Sequence, residues 1–436
     1  MATYITKTQV SATDRKKFTF SAWIKRSKLS SGSQNIYESF YDASNRITFW
    51  INSSDQLRVW YPSSGSTYAE LNSSQLLRDC NAWYHVVLTV DSTESTQADR
   101  VKVYLNGSRI TAWGTNTVNV PLNGANDIGT TGYKHNISRY GTGSGDTFFG
   151  LMSHIHLTDG YAYDASAFGS TDSTTGEWKI NTSPSVTYGN NGFFILKDGN
   201  SVTDQSGNSN DFSVEQGTLT KTEDCPSNVF CTMNALDKSY SGTAALSNGN
   251  TTVTGDGTWQ NMRLGTIGVN TGKWYWEMKI NSGNNANIHF GIVPETWNMN
   301  YSSAYYGQTG YYAFYIGGEK YANGSSSSGS GTFTNGDIVG IALDLDSATK
   351  TLSVYQNTQV SGSVVNLDAT FDGQFWRPMF MGNNSSATAI GDFNFGNGYF
   401  GTTAVSSAGT NASNNGIFEY DVPTGYTALS TKGLNL

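Results

Sequence analysis

One stretch limits what this chain can fold into more than any other: Gly272-Lys-Trp-Tyr-Trp-Glu-Met-Lys-Ile280. It alternates with period two, placing Trp274, Trp276, Met278 and Ile280 on one face and Tyr275, Glu277 and Lys279 on the other. Two tryptophans on one face carry a large apolar area, and that face requires a second sheet to cover it. The pattern recurs at Ile288, Phe290 and Ile292, at Tyr312, Phe314 and Ile316, and over residues 335–346 and 351–357. Charged residues are 14 % of the chain, against a usual ~25 %, while glycines number 48 and aromatics make up 13 %. Few charges, many turn formers and many rings suit an all-β chain. At 436 residues there is room for two cores. The expected fold class is all-β, two β-sandwich domains in tandem with little helix. Single helical turns are expected only at residues 74–78 and 163–168.

The N-terminal half repeats the device with other residues. Phe18, Phe20, Ala22 and Ile24 share a face, and residues 46–51 and 56–61 alternate around the polar connection 52–55, a hairpin signal. Residues 83–90 read as the strongest strand of this half. Val101-Lys-Val-Tyr-Leu105 runs into Asn106-Gly107, where both residues tolerate positive φ, and residues 108–113 are the expected return strand. Ser, Gly and Thr with Pro226 mark an interdomain connection. The expected division is a first domain over 1–215, a linker over 216–240 and a second domain over 241–436. Residues 324–331 and 405–416 are low in complexity and read as mobile or tightly turning loops.

Net charge is −8, and no basic cluster exceeds Arg15-Lys16-Lys17, which reads as a solvated turn. Nucleic acid is therefore not the expected partner. Cys80, Cys225 and Cys231 are an odd, sparse set, unlike a secreted disulfide framework, and no zinc spacing occurs. Residues 1–17 lack the apolar core of a secretory leader, and no segment approaches the ~20 apolar residues needed to span a bilayer. Folding in a cytoplasm and no membrane insertion are the expectations.

Three resemblances follow from the motifs. The Gly-x-x-Tyr-Trp-Glu strand at 272–277, the Gly-Asp-x-x-Gly strand at 336–340 with its Leu-Asp ending, and Phe393-Asn-Phe-Gly-Asn-Gly-Tyr-Phe400 resemble the SPRY family over roughly residues 235–436. The opening strand at 18–24, Trp83-Tyr-His-Val86, the hairpin at 101–107 and the strand at 148–155 resemble the laminin-G-like, concanavalin A-like jelly roll. Further on stand Thr158-Asp-Gly160, Thr175-Gly-Glu-Trp178, Asp204-Gln-Ser-Gly-Asn-Ser-Asn-Asp211 and residues 224–236. In that order the run resembles bacteriophage virion proteins in which a jelly roll precedes a SPRY-like module. The resemblance implies an all-β structural protein that recognises partners through loops and has no catalytic residues. A jelly roll starting almost at Met1 departs from long tail fibres and leaves room for a head-borne or tail-associated subunit.

Glycoside hydrolysis needs two carboxylates flanking a sugar. Glu277 stands alone on its strand, and Asp344 and Asp346 fall where the SPRY resemblance expects a structural turn. No Gly-x-Ser-x-Gly elbow occurs. His154 and His156 are candidates for a metal pair, against the blander reading of half-exposed side chains. No cofactor is expected. A structural calcium ion stays open, with Asp127, Asp146, Asp159 and Asp204 as its candidate ligands.

Sugar binding asks only for an aromatic face and neighbouring amides. The candidate ligand site is Trp297, Asn298, Tyr301, Tyr305 and Tyr306, in the connection that the SPRY resemblance makes a variable rim. The alternative is that these rings plug the sandwich. Trp60 and Tyr61 form a second candidate site on the first half. The expected function is that of a non-enzymatic virion protein on the particle exterior, tail fibre, tail-associated or head-decorating, binding host-surface glycan or receptor. Its expected partners are other virion proteins and further copies of itself, a trimer being favoured. Two alternatives remain open at this point: a purely architectural capsid or tail subunit, and a polysaccharide depolymerase.

Overall fold

The computed structural model describes residues 3–143, 145–197, 199, 201–237, 244–256, 261–282, 287–300, 305–357, 363–383 and 388–435. The chain divides into two compact units, Met1–Lys221 and Thr222–Leu436. Each is all-β, and the short helical turns among the described residues are three-residue 3-10 turns, such as Ala165–Ala167 and Tyr305–Gly307.

The first unit packs two antiparallel sheets. One runs Trp113–Val118, Ser66–Leu76, Gln56–Ser63, Asn45–Ile51, Gln34–Asp42, Lys134–Ile137, Tyr4–Thr8, Ser213–Gln216 in space. The other runs Phe193–Ile195, Gly150–Asp159, Lys17–Arg26, Trp83–Asp91, Val101–Leu105, Ser108–Arg109. Between them lie Phe18, Phe20, Ala22, Ile24, Phe49, Val59, Leu71 and Leu88, each no more than 1 % exposed. The alternating residues read from the sequence supply this core. The predicted hairpin turn forms at Asn106 (φ 47°) and Gly107 (φ 80°).

Two local expectations are corrected. The return strand over 108–113 pairs only at Ser108–Arg109. The chain then crosses to the other sheet, where Trp113–Val118 pairs with Ser66–Leu76. Residues 74–76 belong to that same strand and form no helical turn. The connection at 52–55 is a hairpin, but Asp55 is fully buried: Arg26 donates to it at 3.0 Å and Arg78 at 2.9 Å.

The second unit also packs two sheets. The larger is built on Lys273–Ser282, flanked by Ile338–Asp344 and Ile390–Asn394; the smaller runs Asn261–Leu264, Trp376–Asn383, Asn287–Pro294, Tyr312–Tyr315, Glu319–Ala322, Ser325–Ser328. Trp274, Trp276, Met278 and Ile280 face the core, as their alternation predicts. Tyr275 and Glu277, on the other face, are fully buried too, beneath residues 417–420. The serine run within 324–331 forms the edge strand Ser325–Ser328. Within the expected linker, Phe230, Cys231 and Met233 are at most 1 % exposed and belong to the second core. Composition marked a turn-rich stretch, but three apolar residues there were enough to anchor it. All three cysteines are free.

Candidate functional site

The outer faces of the sheets decide where a ligand could sit. In the first unit the outer face of the six-stranded sheet is covered by residues 161–190. Thr89 Oγ1 donates to the Tyr163 carbonyl at 2.6 Å, and His156 Nδ1 lies 3.0 Å from the Tyr188 hydroxyl. Trp178 stacks on His85 at 5.9 Å, and Trp23 stacks on the same ring at 4.9 Å. Trp178 also lies where a Cβ on Gly107 would point, 2.5 Å from its ring. Gly107→Ala is expected to cost about 1–3 kcal/mol through backbone strain alone and to release Trp178, seen as increased fluorescence quenching of that indole by iodide.

This cover creates a serine–histidine pair that looks catalytic but has the wrong polarity. His85 Nε2 lies 2.8 Å from Ser21 Oγ, and Trp178 Nε1 donates to His85 Nδ1 at 3.0 Å. An indole N–H can only donate, so Nδ1 is the acceptor and Nε2 carries the proton. Burial pushes the imidazole down to about 3, which keeps it neutral. His85 therefore donates toward Ser21 and has no free lone pair with which to activate it. His154 and His156 are not half-exposed: both are buried, His154 Nδ1 lying 2.7 Å from Ser153 Oγ.

The outer face of the eight-stranded sheet is different. Cross-strand register places Trp60 between Thr48 and Glu70, and Arg58 between Trp50 and Asn72. Trp50, Arg58, Trp60, Glu70 and Asn72 are all half-buried. The Arg58 guanidinium lies over the Trp50 ring at 5.1 Å and donates to Glu70 at 2.5 Å. Asn52 Nδ2 donates to Gln56 Oε1 at 3.1 Å and to Asn72 Oδ1 at 3.2 Å, so three amides line the same face. Two indoles beside fixed amides and a compensated charge pair form a flat surface. It offers ring faces for stacking and both donors and acceptors for hydroxyls.

Of the predicted site residues, only Trp60 lies on this face. Tyr61 points the opposite way, 1 % exposed, edge-on to Tyr68 at 5.2 Å; successive strand residues face opposite sides, and the pair could not act together. Trp50 was missed, although its alternation with Phe49 and Ile51 marks it as outward. In the second unit Trp297 and Tyr305 are 8 % and 0 % exposed and form a small core with Met262, Leu264, Met379 and Met381. The smaller sheet there is apolar on both faces, and these rings cover the outer one; the plugging alternative describes them. Asn298 is exposed and accepts from the Asn300 backbone at 2.9 Å. Tyr306 is 40 % exposed and stacks on buried His289 at 6.2 Å. Tyr301 lies outside the described residues.

The calcium candidates do not converge. Asp204 accepts from the Phe194 and Ser206 backbones, both at 2.8 Å, and Asp159 from those of Thr13 at 2.9 Å and Asn191 at 3.1 Å. Both backbone donors to Asp159 reach Oδ2, and among the described residues Asp159 Oδ1 and buried Asp127 Oδ2 have no hydrogen-bond partner. Asp146 is exposed. Among the described residues no group of three or more His, Cys, Asp or Glu could hold a metal. Asp344 accepts from the Asp346 and Ser347 backbones at 3.0 and 2.9 Å, a structural turn.

Comparison with known proteins bears on both units. A laminin-G-type family model, described as the concanavalin A-like lectin/glucanases superfamily, matches residues 2–162, and the SPRY domain model matches residues 273–398. A concanavalin A-like domain and a SPRY domain stand here in tandem. The SPRY domain of human HERC1 is similar at 19 % identity over 37 % of this chain and 96 % of that one, with a TM-score of 0.30. The TRIM65 PSpry domain is similar at 15 % over 37 % and 87 %, TM-score 0.29. A heptameric SAP-like pentraxin from Limulus polyphemus is similar at 16 % over 36 % and 69 %, TM-score 0.27. No curated protein matches the chain. A concanavalin A-like domain and a SPRY domain both fit a ligand-binding role.

Proposed function

We propose that this chain is a non-enzymatic bacteriophage virion protein, carried on the particle exterior, that binds host-surface glycan through the Trp50–Trp60 face of its concanavalin A-like domain. The observation that carries this reading is the contrast between two outer faces of one sandwich. One is sealed by residues 161–190; the other presents indoles, amides and a closed Arg58–Glu70 pair. The motif order along the whole chain supports the phage setting. The proton placement at Ser21 and His85 speaks against a nucleophilic mechanism at that pair.

A shallow site of this kind binds at ~1 mM, about 4 kcal/mol. Firm attachment then needs several copies, and avidity adds ~10²–10⁴. A symmetric assembly in the virion, a trimer in this proposal, supplies them. Trp60→Ala is expected to weaken binding to a host-glycan array about 30-fold, the effect of removing an aromatic anchor worth ~2 kcal/mol. Unchanged array binding, or none by the wild-type chain in a host-adsorption assay, would overturn the reading. The second outcome would favour an architectural subunit, which the buried Trp297–Tyr305 cluster already suits. New reducing ends on incubation with host polysaccharide would instead point to depolymerase activity.

A further inference from the structure

The Trp50–Trp60 face carries few groups that are free to meet a ligand, and those few select its chemistry. Its amides are spent on one another: Asn72 Nδ2 donates to Gln56 Oε1 at 3.1 Å, and Asn52 Nδ2 to Gln56 Oε1 at 3.1 Å and to Asn72 Oδ1 at 3.2 Å. The Trp50 ring lies under the Arg58 guanidinium at 5.1 Å, whereas Trp60 has no ring or cation stacked on it among the described residues. Trp60 is the open indole.

Beside it stands the charge pair. Glu70 is the cross-strand partner of Trp60, and Arg58 lies two residues before Trp60 on the same face of the same strand. Arg58 Nη2 donates to Glu70 Oε1 at 2.5 Å. Glu70 Oε2 and Arg58 Nη1 have no partner among the described residues, and neither is enclosed; of the pair's polar atoms only Arg58 Nε is both buried and unpaired. The two side chains are 33 % and 30 % exposed. One acceptor and one donor, fixed against each other, therefore face solvent next to a bare ring. Across the strands Asn45–Ile51, Gln56–Ser63, Ser66–Leu76 and Trp113–Val118 the charged residues are Arg46, Arg58 and Glu70. Arg46 is met by Glu38 at 3.8 Å, so each guanidinium on these strands has its own carboxylate.

Taking the glycan reading of this face as the basis, we propose that the sugar bound here is a neutral hexose, that Glu70 Oε2 and Arg58 Nη1 read its hydroxyl groups while Trp60 stacks on its ring, and that Glu70 excludes sugars bearing a carboxylate. A hydroxyl group both donates and accepts, so a hexose can serve each half of the pair, and a bond to a charged group is about twice as strong as a neutral one. A carboxylate only accepts. Opposite Oε2 it meets a like charge with no proton between them, and Arg58 is already neutralised. Rejection of the acid is built into the site by the same residue that holds the hydroxyl.

The test is titration of the isotope-labelled full chain with the methyl glycosides of glucose, galactose and mannose and with those of the matching uronic acids, followed at the indole N–H signal that Trp60→Ala removes. At least one hexose is expected to shift that signal with a Kd at least about tenfold below that of its uronate, the effect of one charge-assisted hydrogen bond. Glu70→Gln keeps the shape but frees Arg58; it should weaken the hexose about tenfold and place the uronate ahead of it. Unchanged signals from the other indoles check that this variant is folded. A uronate bound by the wild type as tightly as its hexose, or a hexose preference that survives Glu70→Gln, overturns the inference and leaves the glycan face standing. No shift of the Trp60 signal by any of these sugars removes the glycan reading itself, and the inference with it.

Discussion

Glu277→Ala is expected to lower the unfolding free energy of the second unit by about 4 kcal/mol, because it orphans a set of buried donors at once. Glu277 Oε2 accepts from the Glu419 backbone at 2.9 Å and from Asn394 Nδ2 at 3.2 Å; Oε1 accepts from the Tyr420 backbone at 2.9 Å and from the Tyr275 hydroxyl at 3.1 Å. These bonds tie residues 417–420 to the outer face of the central strand. Burial pushes the carboxyl up to about 7, against the pull of the two backbone donors. An unfolded glutamate releases its proton near ~4.3. Between there and about 7 the folded chain keeps a proton that the unfolded chain has lost, so this group makes stability fall as pH rises through that window. Urea midpoints of the wild type should therefore decline across it, and those of Glu277→Ala should be lower but flatter. A wild-type midpoint no higher below the window than above it, relative to the variant, would show that the four donors keep the carboxylate ionised throughout.

Phe20→Ala should destabilise the first unit by about 3–5 kcal/mol, the range for a fully buried phenylalanine. Phe20 is 0 % exposed, stacks on Tyr37 at 4.4 Å and meets Phe49 edge-on at 6.2 Å. Tyr37 in turn reaches His135 Nδ1 at 3.0 Å, so the cavity would loosen a buried hydrogen bond as well as ring contacts. Val10→Ala, at a side chain 45 % exposed, should change stability by no more than about 0.5 kcal/mol. Calorimetric unfolding of both variants checks the pair, and equal losses would mean that the inter-sheet seam is not where the first unit's stability lies.

Strand alternation was legible because it is a local property. Phe18 to Ile24 and Trp274 to Ile280 name their inward faces without reference to any partner. The site was legible only in part. Trp60 and Tyr61 are neighbours in sequence, and the pleat sends one to solvent and the other inward. Trp297 and Tyr305 resembled ligand-binding rings because they stand outside any alternating strand. Only the pairing of Trp376–Asn383 with Asn287–Pro294 and Asn261–Leu264 reveals an outer apolar face for them to cover.

The sequence by itself determined an all-β chain with two aromatic cores, the hairpin at Asn106-Gly107 and the order of its two kinds of domain, since these depend on periodicity and turn chemistry within short windows. Only the tertiary structure decided which outer faces are sealed and why Glu277 is buried. Those outcomes depend on segments distant along the chain, such as residues 161–190 and 417–420, returning to cover a face, and no local pattern encodes where a returning segment will lie.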